Sequence, residues 1–215
     1  MPLDLRKERE KAKQFENKSA RIPICLCIDG SMSMNTEGRM IAVNNGIKNF
    51  INQTKNDRLS RDAVDIGIVS FGRTASVIQP FDNVRNVNFQ EISEGGGSPM
   101  GEAMELALNE TIRHYDALKA RGIPCFKPIL IIMSDGEADD DSKCRVVSKK
   151  ILEEVKKRRL QLKLIDLSDE SRLSQYFPGI PAITFDVMQI GQFFNDLSRS
   201  TQSLSVAMPG TEQQI

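Results

Sequence analysis

Two short and almost uninterrupted runs of apolar residues constrain the fold of this chain more than any other feature. Residues 22–28 read IPICLCI and residues 128–133 read PILIIM. Runs of this length without polar alternation are typical of strands that are buried on both faces, as in parallel sheets covered by helices. The chain is therefore predicted to build an α/β structure around a parallel sheet.

The segments around these two runs support the same architecture. Strands that alternate with amphipathic helices indicate a doubly wound, mostly parallel six-stranded sheet with helices on both faces. Residues 63–81 read as a hairpin that supplies one antiparallel edge strand. The four further strands are predicted at 63–71, 75–81, 161–167 and 181–185, and the helices at 39–54, 100–119, 143–159 and 188–201.

The 215 residues are expected to form one main domain, because no linker rich in proline, glycine or serine divides them. This domain is placed at residues 21–203. Residues 1–20 are dense in charge and are predicted to form a short helix or an arm. Residues 204–215 are polar and are predicted to form a flexible tail.

The charge balance and the shortage of histidine exclude several classes of function. The 29 basic and 29 acidic side chains cancel, so no overall field attracts nucleic acid or an anionic membrane. No apolar run approaches the roughly 20 residues of a membrane span. The single histidine, His114, excludes a three-histidine zinc site and leaves little room for a Ser-His-Asp triad. His114 itself is interpreted as a solvated helix residue.

The N-terminal segment and the cysteines favour a cytoplasmic protein. Residues 1–20 contain no apolar core of a secretory signal. The four cysteines form no CxxC pair, so reduced and mostly buried thiols are expected. Cys25 and Cys27 lie two positions apart in a predicted strand and should therefore point to the same face.

Three polar loops follow predicted strands and are expected at one rim of the sheet, where ligands bind in folds of this class. Asp29, Ser31 and Ser33 share a spacing of two after the first strand, and an extended segment projects such residues to one side. Asp135 follows the strand at 128–133, and Ser98 lies in a glycine-rich loop before a helix. A donor set made only of oxygen suits Mg²⁺ or Mn²⁺ rather than zinc or copper.

Each of these loops alone is equally typical of ordinary structure. Serine and aspartate are common helix caps and turn residues. The acidic run at residues 139–141 follows the loop after the strand at 128–133. It is likewise interpreted as a helix N-terminus favoured by the helix dipole. The metal hypothesis therefore depends on the three loops occurring together, in order, after the expected strands.

The combination of DGSMS at 29–33, GGSP at 96–99 and SDG at 134–136 resembles the metal-ion-dependent adhesion site of the von Willebrand factor A domain. The resemblance covers roughly residues 22–200. Within that family the chain looks most like small stand-alone bacterial TerY-like proteins of the tellurite-resistance group. The segments SPMGEAM, SDGEADD and FFNDLSRSTQSLSV carry this closer likeness.

The resemblance implies a strand order of 3-2-1-4-5-6 and a role for each site residue. It implies that Ser31, Ser33 and Ser98 are hydroxyl ligands of Mg²⁺ or Mn²⁺. Asp29 and Asp135 would act mainly through bound water or by accepting hydrogen bonds around the ligands.

Two positions of the candidate site depart from the usual family pattern. Ser98 stands where the loop usually carries threonine, which keeps the oxygen but loses the methyl group that restricts the rotamer. Met32 stands where glycine is usual, and Gly30 occupies the preceding variable position. Met32 is expected either to strain the loop or to present an apolar contact beside the metal.

The expected function is a non-enzymatic, metal-dependent protein-interaction module. An Asp or Glu of another protein would complete the coordination of the ion. The TerY-like resemblance implies a bacterial stress or tellurite-resistance system with kinase or phosphatase partners. Two alternatives remain open, a metal-dependent phosphohydrolase and a metal-free scaffold. The hydrolase lacks support because the sequence offers no second metal cluster and no histidine base.

Overall fold

The computed structural model describes residues 19–93, 95–168 and 172–209. Most of the predicted N-terminal segment, residues 1–18, lies outside the described residues, as do residues 210–215 of the predicted tail. In the described part of the chain, no helix is long and apolar enough to cross a membrane.

The sheet has six strands in the order β3-β2-β1-β4-β5-β6, which confirms the predicted topology. The central strand β1 pairs in parallel with both β2 and β4, while β3 is antiparallel to β2. Every residue of β1 and β4 is buried, as the unbroken apolar runs predicted, and every residue of β2 is buried as well. The strands are β1 (Ile22–Asp29), β2 (Val64–Phe71), β3 (Ala75–Asn83), β4 (Ile129–Ser134), β5 (Gln161–Asp166) and β6 (Ala182–Thr184).

Helices cover both faces of the sheet and create two separate hydrophobic cores. Alternate residues of β1 face opposite cores, so Cys25 and Cys27 share one face, as predicted, while Ile24 and Leu26 lie on the other. The first and last α-helices cover the isoleucine face, and the third and fourth cover the cysteine face. The helices are α1 (Arg39–Asn56), α2 (Arg58–Ala63), α3 (Met100–Ala120), α4 (Asp141–Lys156) and α5 (Val187–Ser205).

Short helical segments are the elements that the apolar pattern did not predict. Helix α2 is less than two turns long and is capped by Asp57, whose carboxylate accepts a hydrogen bond from the amide of Ser60. 3-10 helices also occur at Met32–Gly38, Val84–Asn86 and Arg172–Tyr176. Segments this short carry no helical periodicity, so local hydrogen bonds decide them.

Helix α5 is longer at both ends than the predicted segment 188–201. Its start is fixed by a capping box, in which Asp186 and Gln189 exchange hydrogen bonds between side chain and backbone. Its last turn includes the buried Leu204, which belongs to the core under α1 and α5.

His114 is not a solvated helix residue, so that prediction was wrong. Its Nε2 lies 3.0 Å from Oδ2 of the buried Asp65, and its ring stacks on Phe81 with centroids 4.4 Å apart. The Arg21 guanidinium also donates to both carboxylate oxygens of Asp65. Burial alone would raise the pKa of Asp65, but these hydrogen bonds and charges outweigh it and lower the pKa. The partners come from distant elements, so helix position alone did not reveal them.

Helices α1 and α5 approach closely at Gly46, and this contact provides a test of the packing. A Cβ atom on Gly46 would lie 2.2 Å from Cδ2 of Phe194, whose ring is buried against Phe50 and Phe193. Gly46→Ala should lower the free energy of unfolding by about 1–2 kcal/mol, because overpacking exceeds the gain in helix propensity. Urea denaturation measures this difference.

Gly191→Ala is the matched control, because Gly191 also lies inside a helix but a Cβ there meets no atom within 4 Å. This substitution should raise the free energy of unfolding by up to about 1 kcal/mol. Equal effects of the two substitutions would contradict the close approach of the helices.

Candidate metal centre

The candidate centre is built on the adjacent ends of β1 and β4. Ile28 pairs with Met133, so Asp29 and Ser134 are neighbours at the carboxyl edge of the sheet. The Ser134 hydroxyl donates to Oδ2 of Asp29 across 2.6 Å, and both side chains are fully buried. The Gly136 amide in turn donates to the Ser134 oxygen at 2.9 Å. The end of β4 thereby holds the Asp29 carboxylate in one orientation.

The loop after β1 is folded by Asp29 itself. The other carboxylate oxygen, Oδ1, accepts a hydrogen bond of 2.8 Å from the Ser31 amide. The following 3-10 helix is anchored by the buried Met34 and brings the Ser33 hydroxyl within 2.8 Å of the Ser31 hydroxyl. Met32 points away from this pair and is 72% exposed. The two hydroxyls of DGSMS therefore meet, as predicted, but a 3-10 helix brings them together and not the extended segment on which the spacing argument relied.

The glycine-rich loop is attached to this first loop through the backbone. Gly95 forms a parallel bridge with Ser31, and its amide donates to the Gly30 carbonyl at 2.8 Å. Gly72 also packs there, and a Cβ on it would lie 2.8 Å from the Gly30 oxygen and 3.4 Å from Cα of Gly95. The absence of side chains at Gly72 and Gly95 allows three backbone segments to meet beside Ser31.

Ser98 is held by the loop that follows β4. Its hydroxyl donates to the Glu137 carbonyl and its amide donates to the Asp139 carboxylate, while the Asp139 amide donates back to the Ser98 carbonyl at 2.9 Å. Asp140 accepts hydrogen bonds of 2.9 Å from the amides of Gly101 and Glu102. The acidic run therefore caps the start of the neighbouring helix α3 as well as preceding its own helix.

Asp135 lies in the same loop, beside the centre. Its side chain is almost fully buried, and Oδ1 accepts a long hydrogen bond of 3.3 Å from the Glu137 amide. Gly136 adopts a φ of +80°, and a Cβ there would meet the Arg172 side chain and the Leu173 backbone. The turn that places Asp135 therefore requires glycine at the next position.

The pKa of Asp29 is raised from its ordinary 3.8 to about 6. Burial is the largest cause, because it disfavours the charged carboxylate. Hydrogen bonds from Ser134 and Ser31 lower the pKa in part, and the neighbouring charge of Asp135 raises it slightly. Desolvation therefore disfavours the charged form of Asp29, and a nearby cation would stabilise it.

Hydrogen bonds link the five residues proposed from the sequence in two groups, and they include one residue that the sequence analysis did not single out. Asp29, Ser31 and Ser33 are joined directly by hydrogen bonds. Ser98 and Asp135 are linked through the loop 134–137. Ser134 was overlooked as a functional residue, although it is the first letter of the SDG motif that drew attention to Asp135.

The donor set fits a hard divalent ion bound partly through hydroxyls. The described residues contain no group of three or more His, Cys, Asp and Glu side chains that could hold a metal. The Ser31 and Ser33 oxygens are 2.8 Å apart, close to the roughly 3 Å between adjacent ligands in an octahedron of Mg²⁺ distances. Ser98 donates its proton to a carbonyl, which leaves its lone pairs for an ion.

A family model for the von Willebrand factor type A domain matches residues 24–170. The match covers more than half of the chain, so this chain belongs to the von Willebrand factor type A domain family. Domains of this family are typically adhesion and protein-interaction modules. No curated protein sequence matches the chain.

Solved structures with the same fold include proteins of several kinds. The vWF domain of the type V pili tip protein Mfa5 from Porphyromonas gingivalis superposes with a TM-score of 0.65 and 10% identity, covering 91% of this chain and 99% of that chain. The manganese-loaded Plasmodium vivax TRAP protein superposes with a TM-score of 0.52 and 16% identity, covering 80% of this chain and 71% of that chain. The pilus adhesin SpaC from Lactobacillus rhamnosus GG superposes with a TM-score of 0.62 and 13% identity, covering 85% of this chain and 30% of that chain. This chain therefore spans less than a third of SpaC. At these identities the likeness shows the fold alone.

The raised pKa of Asp29 predicts how the metal-free protein responds to pH. A carboxyl group whose pKa is raised on folding stabilises the protein below its unfolded pKa, and this stability is lost as the pH rises through the folded value. Asp29→Asn has no charge to bury. In a chelating buffer, the free energy of unfolding of wild type should therefore fall by about 3 kcal/mol relative to that of the variant between pH 4 and pH 7.

Urea denaturation at a series of pH values measures this difference. Ser134→Ala should shift the wild-type fall in stability to higher pH, because it removes a hydrogen bond that favours the Asp29 carboxylate. Parallel pH profiles for wild type and Asp29→Asn would contradict the raised pKa.

Proposed function

We propose that this protein binds other proteins through a divalent ion, Mg²⁺ or Mn²⁺, held at the candidate metal centre. The paired hydroxyls of Ser31 and Ser33, set beside the buried Asp29 carboxylate, are the observation that carries the proposal. Ser31, Ser33 and Ser98 would be the direct ligands, and Asp29 and Asp135 would act through bound water. The manganese-loaded TRAP protein, which has the same fold, supports the choice of metal.

The chemistry of these donors explains why the partner's group would be a carboxylate. Three hydroxyls are neutral, and both oxygens of Asp29 already accept hydrogen bonds from Ser31 and Ser134. An ion bound by such ligands retains most of its positive charge toward solvent. An Asp or Glu side chain of the partner would then provide both the missing oxygen ligand and the missing negative charge.

We propose a binding role without catalysis. The one histidine, His114, is engaged by Asp65 near the amino end of β2. Phe71, at the carboxyl edge, lies six positions along the strand from Asp65, a distance of about 20 Å. His114 is therefore remote from the candidate centre, and hydrolysis of a phosphate ester would lack a histidine as proton acceptor there.

The cellular setting is also part of the proposal. The resemblance to TerY-like proteins supports a bacterial stress or tellurite-resistance system in which the partners are kinases or phosphatases. A cytoplasmic location is supported by the four cysteines, which are all buried free thiols. The pilus adhesin SpaC and the pili tip protein Mfa5, which share the fold, argue against that location.

Thermal unfolding in the presence and absence of metal tests the ion site. A ligand that binds only the folded state stabilises it by about 2.7 kcal/mol at a concentration of 100 times Kd. This corresponds to a rise in Tm of about 5–10 °C for a domain of this size. Millimolar Mg²⁺ or Mn²⁺ should produce such a rise in wild type, and Ser31→Ala and Ser98→Ala should abolish it.

Two variants control for effects unrelated to the ion. Ser98→Thr keeps the hydroxyl and should retain the metal-dependent rise. Ser203→Ala removes an exposed hydroxyl of α5 that bonds only to the Arg199 carbonyl, and should also retain it. Absence of any rise in wild type at 10 mM metal would favour the metal-free scaffold over the proposed function.

A further inference from the structure

A groove of about 440 Å³ opens beside the candidate metal centre and contains none of its proposed ligands. One wall is formed by the end of β2, the turn into β3 and the outer residues of β3, and the other by residues 90–93 and Gly95. The groove is the size of a site for a few side chains. It is predominantly polar, with Ile78 as a half-exposed apolar contact.

The groove is continuous with the candidate centre through the glycine contacts. Gly72 and Gly95 line the groove, and Gly95 is also the bridge partner of Ser31. A Cβ atom on Gly95 would lie 3.0 Å from the backbone nitrogen of Arg73. Arg73 therefore lines the groove and packs through its backbone against Gly95, the residue that bridges to Ser31.

The charges of the groove are unpaired and lie on opposite walls. Arg73 is the one cation among the described lining residues, and its side chain is exposed. Within the described part of the chain it forms no ion pair. Glu91, on the wall formed by residues 90–93 and Gly95, is the one described anion of the lining and is likewise exposed. A cation and an anion left free in one groove are available to a ligand.

We infer that Arg73 selects partners in which a second acidic side chain accompanies the one that completes the metal coordination. This inference rests on the proposed function and names the chemistry of its partner, an extended segment with two acidic residues. A metal ion binds the carboxylate of an acidic residue but does not select the residues that flank it. The planar Arg73 guanidinium can bind a second carboxylate in bidentate geometry and so distinguish one acidic segment from another.

Glu91 determines on which side the second acidic residue lies. A carboxylate near Glu91 would be repelled, whereas one on the opposite wall meets Arg73. Repulsion by Glu91 and attraction by Arg73 thus favour the same position for the second acidic residue. Ile78, between the walls, provides apolar contact for an intervening side chain.

A peptide library displayed on phage, with seven random positions around one fixed aspartate, tests this inference. The library is selected on the full chain in Mg²⁺, and bound phage are released with EDTA and sequenced. Wild type should enrich a second acidic residue at one fixed spacing from the aspartate. Phage bound to the Arg73→Glu variant should still be released by EDTA. Their peptides should lack the second acidic residue or carry lysine or arginine in its place.

The outcomes separate the inference from the proposed function. Enriched peptides that carry one acidic residue only, or the same two in Arg73→Glu, overturn the inference and leave the metal-dependent binding standing. Failure to release any enriched phage with EDTA overturns the proposed function, and the inference with it.

Affinity measurements on one enriched synthetic peptide complete the test. Arg73→Ala should weaken binding about tenfold, the equivalent of one charged hydrogen-bonded contact. Glu91→Gln should strengthen it several-fold. Arg58→Ala is the matched control, since Arg58 is an exposed arginine in α2, at the opposite edge of the sheet, and should leave Kd unchanged. Equal loss with Arg58→Ala and Arg73→Ala would reduce the effect to general charge and overturn the inference.

Discussion

The burial of the Asp29 carboxylate is the constraint on which the candidate site depends. A buried carboxylate is costly unless donors surround it. The Ser31 amide and the Ser134 hydroxyl provide these donors, one from the loop after β1 and one from the end of β4. Satisfying Asp29 therefore joins two loops that are far apart in sequence.

The remaining parts of the site are connected to this pair by backbone contacts rather than by side-chain packing. Gly95 ties the glycine-rich loop to Ser31, and Ser98 is fastened to the loop after β4 by Glu137 and Asp139. Asp140 extends the connection to the start of α3. Movement of one loop would consequently disturb its neighbours, which suits a site that must hold several oxygen donors in one geometry.

The reactive side chains of the protein lie away from this rim or are buried in the cores. His114 forms a cluster with Asp65 and Arg21 near the opposite end of β2. Burial raises the pKa of the Cys25 thiol to about 12 and that of Cys27 well above its usual value, so neither is a nucleophile at neutral pH. His114 and these two thiols therefore lie outside the candidate centre.

The sequence by itself determined the strands, the main helices and the edge of the sheet at which the polar loops meet. These features depend on apolar runs, on helical periodicity and on the rule that parallel strands end together, all of which are local or topological. The tertiary structure alone decided which polar groups pair. Ser134 and Asp29 are separated by 105 positions, Ser98 and Glu137 by 39, and His114 and Asp65 by 49. Hydrogen bonds over such separations leave no periodic pattern in the chain, because they are set by the packing of whole elements and not by neighbouring residues.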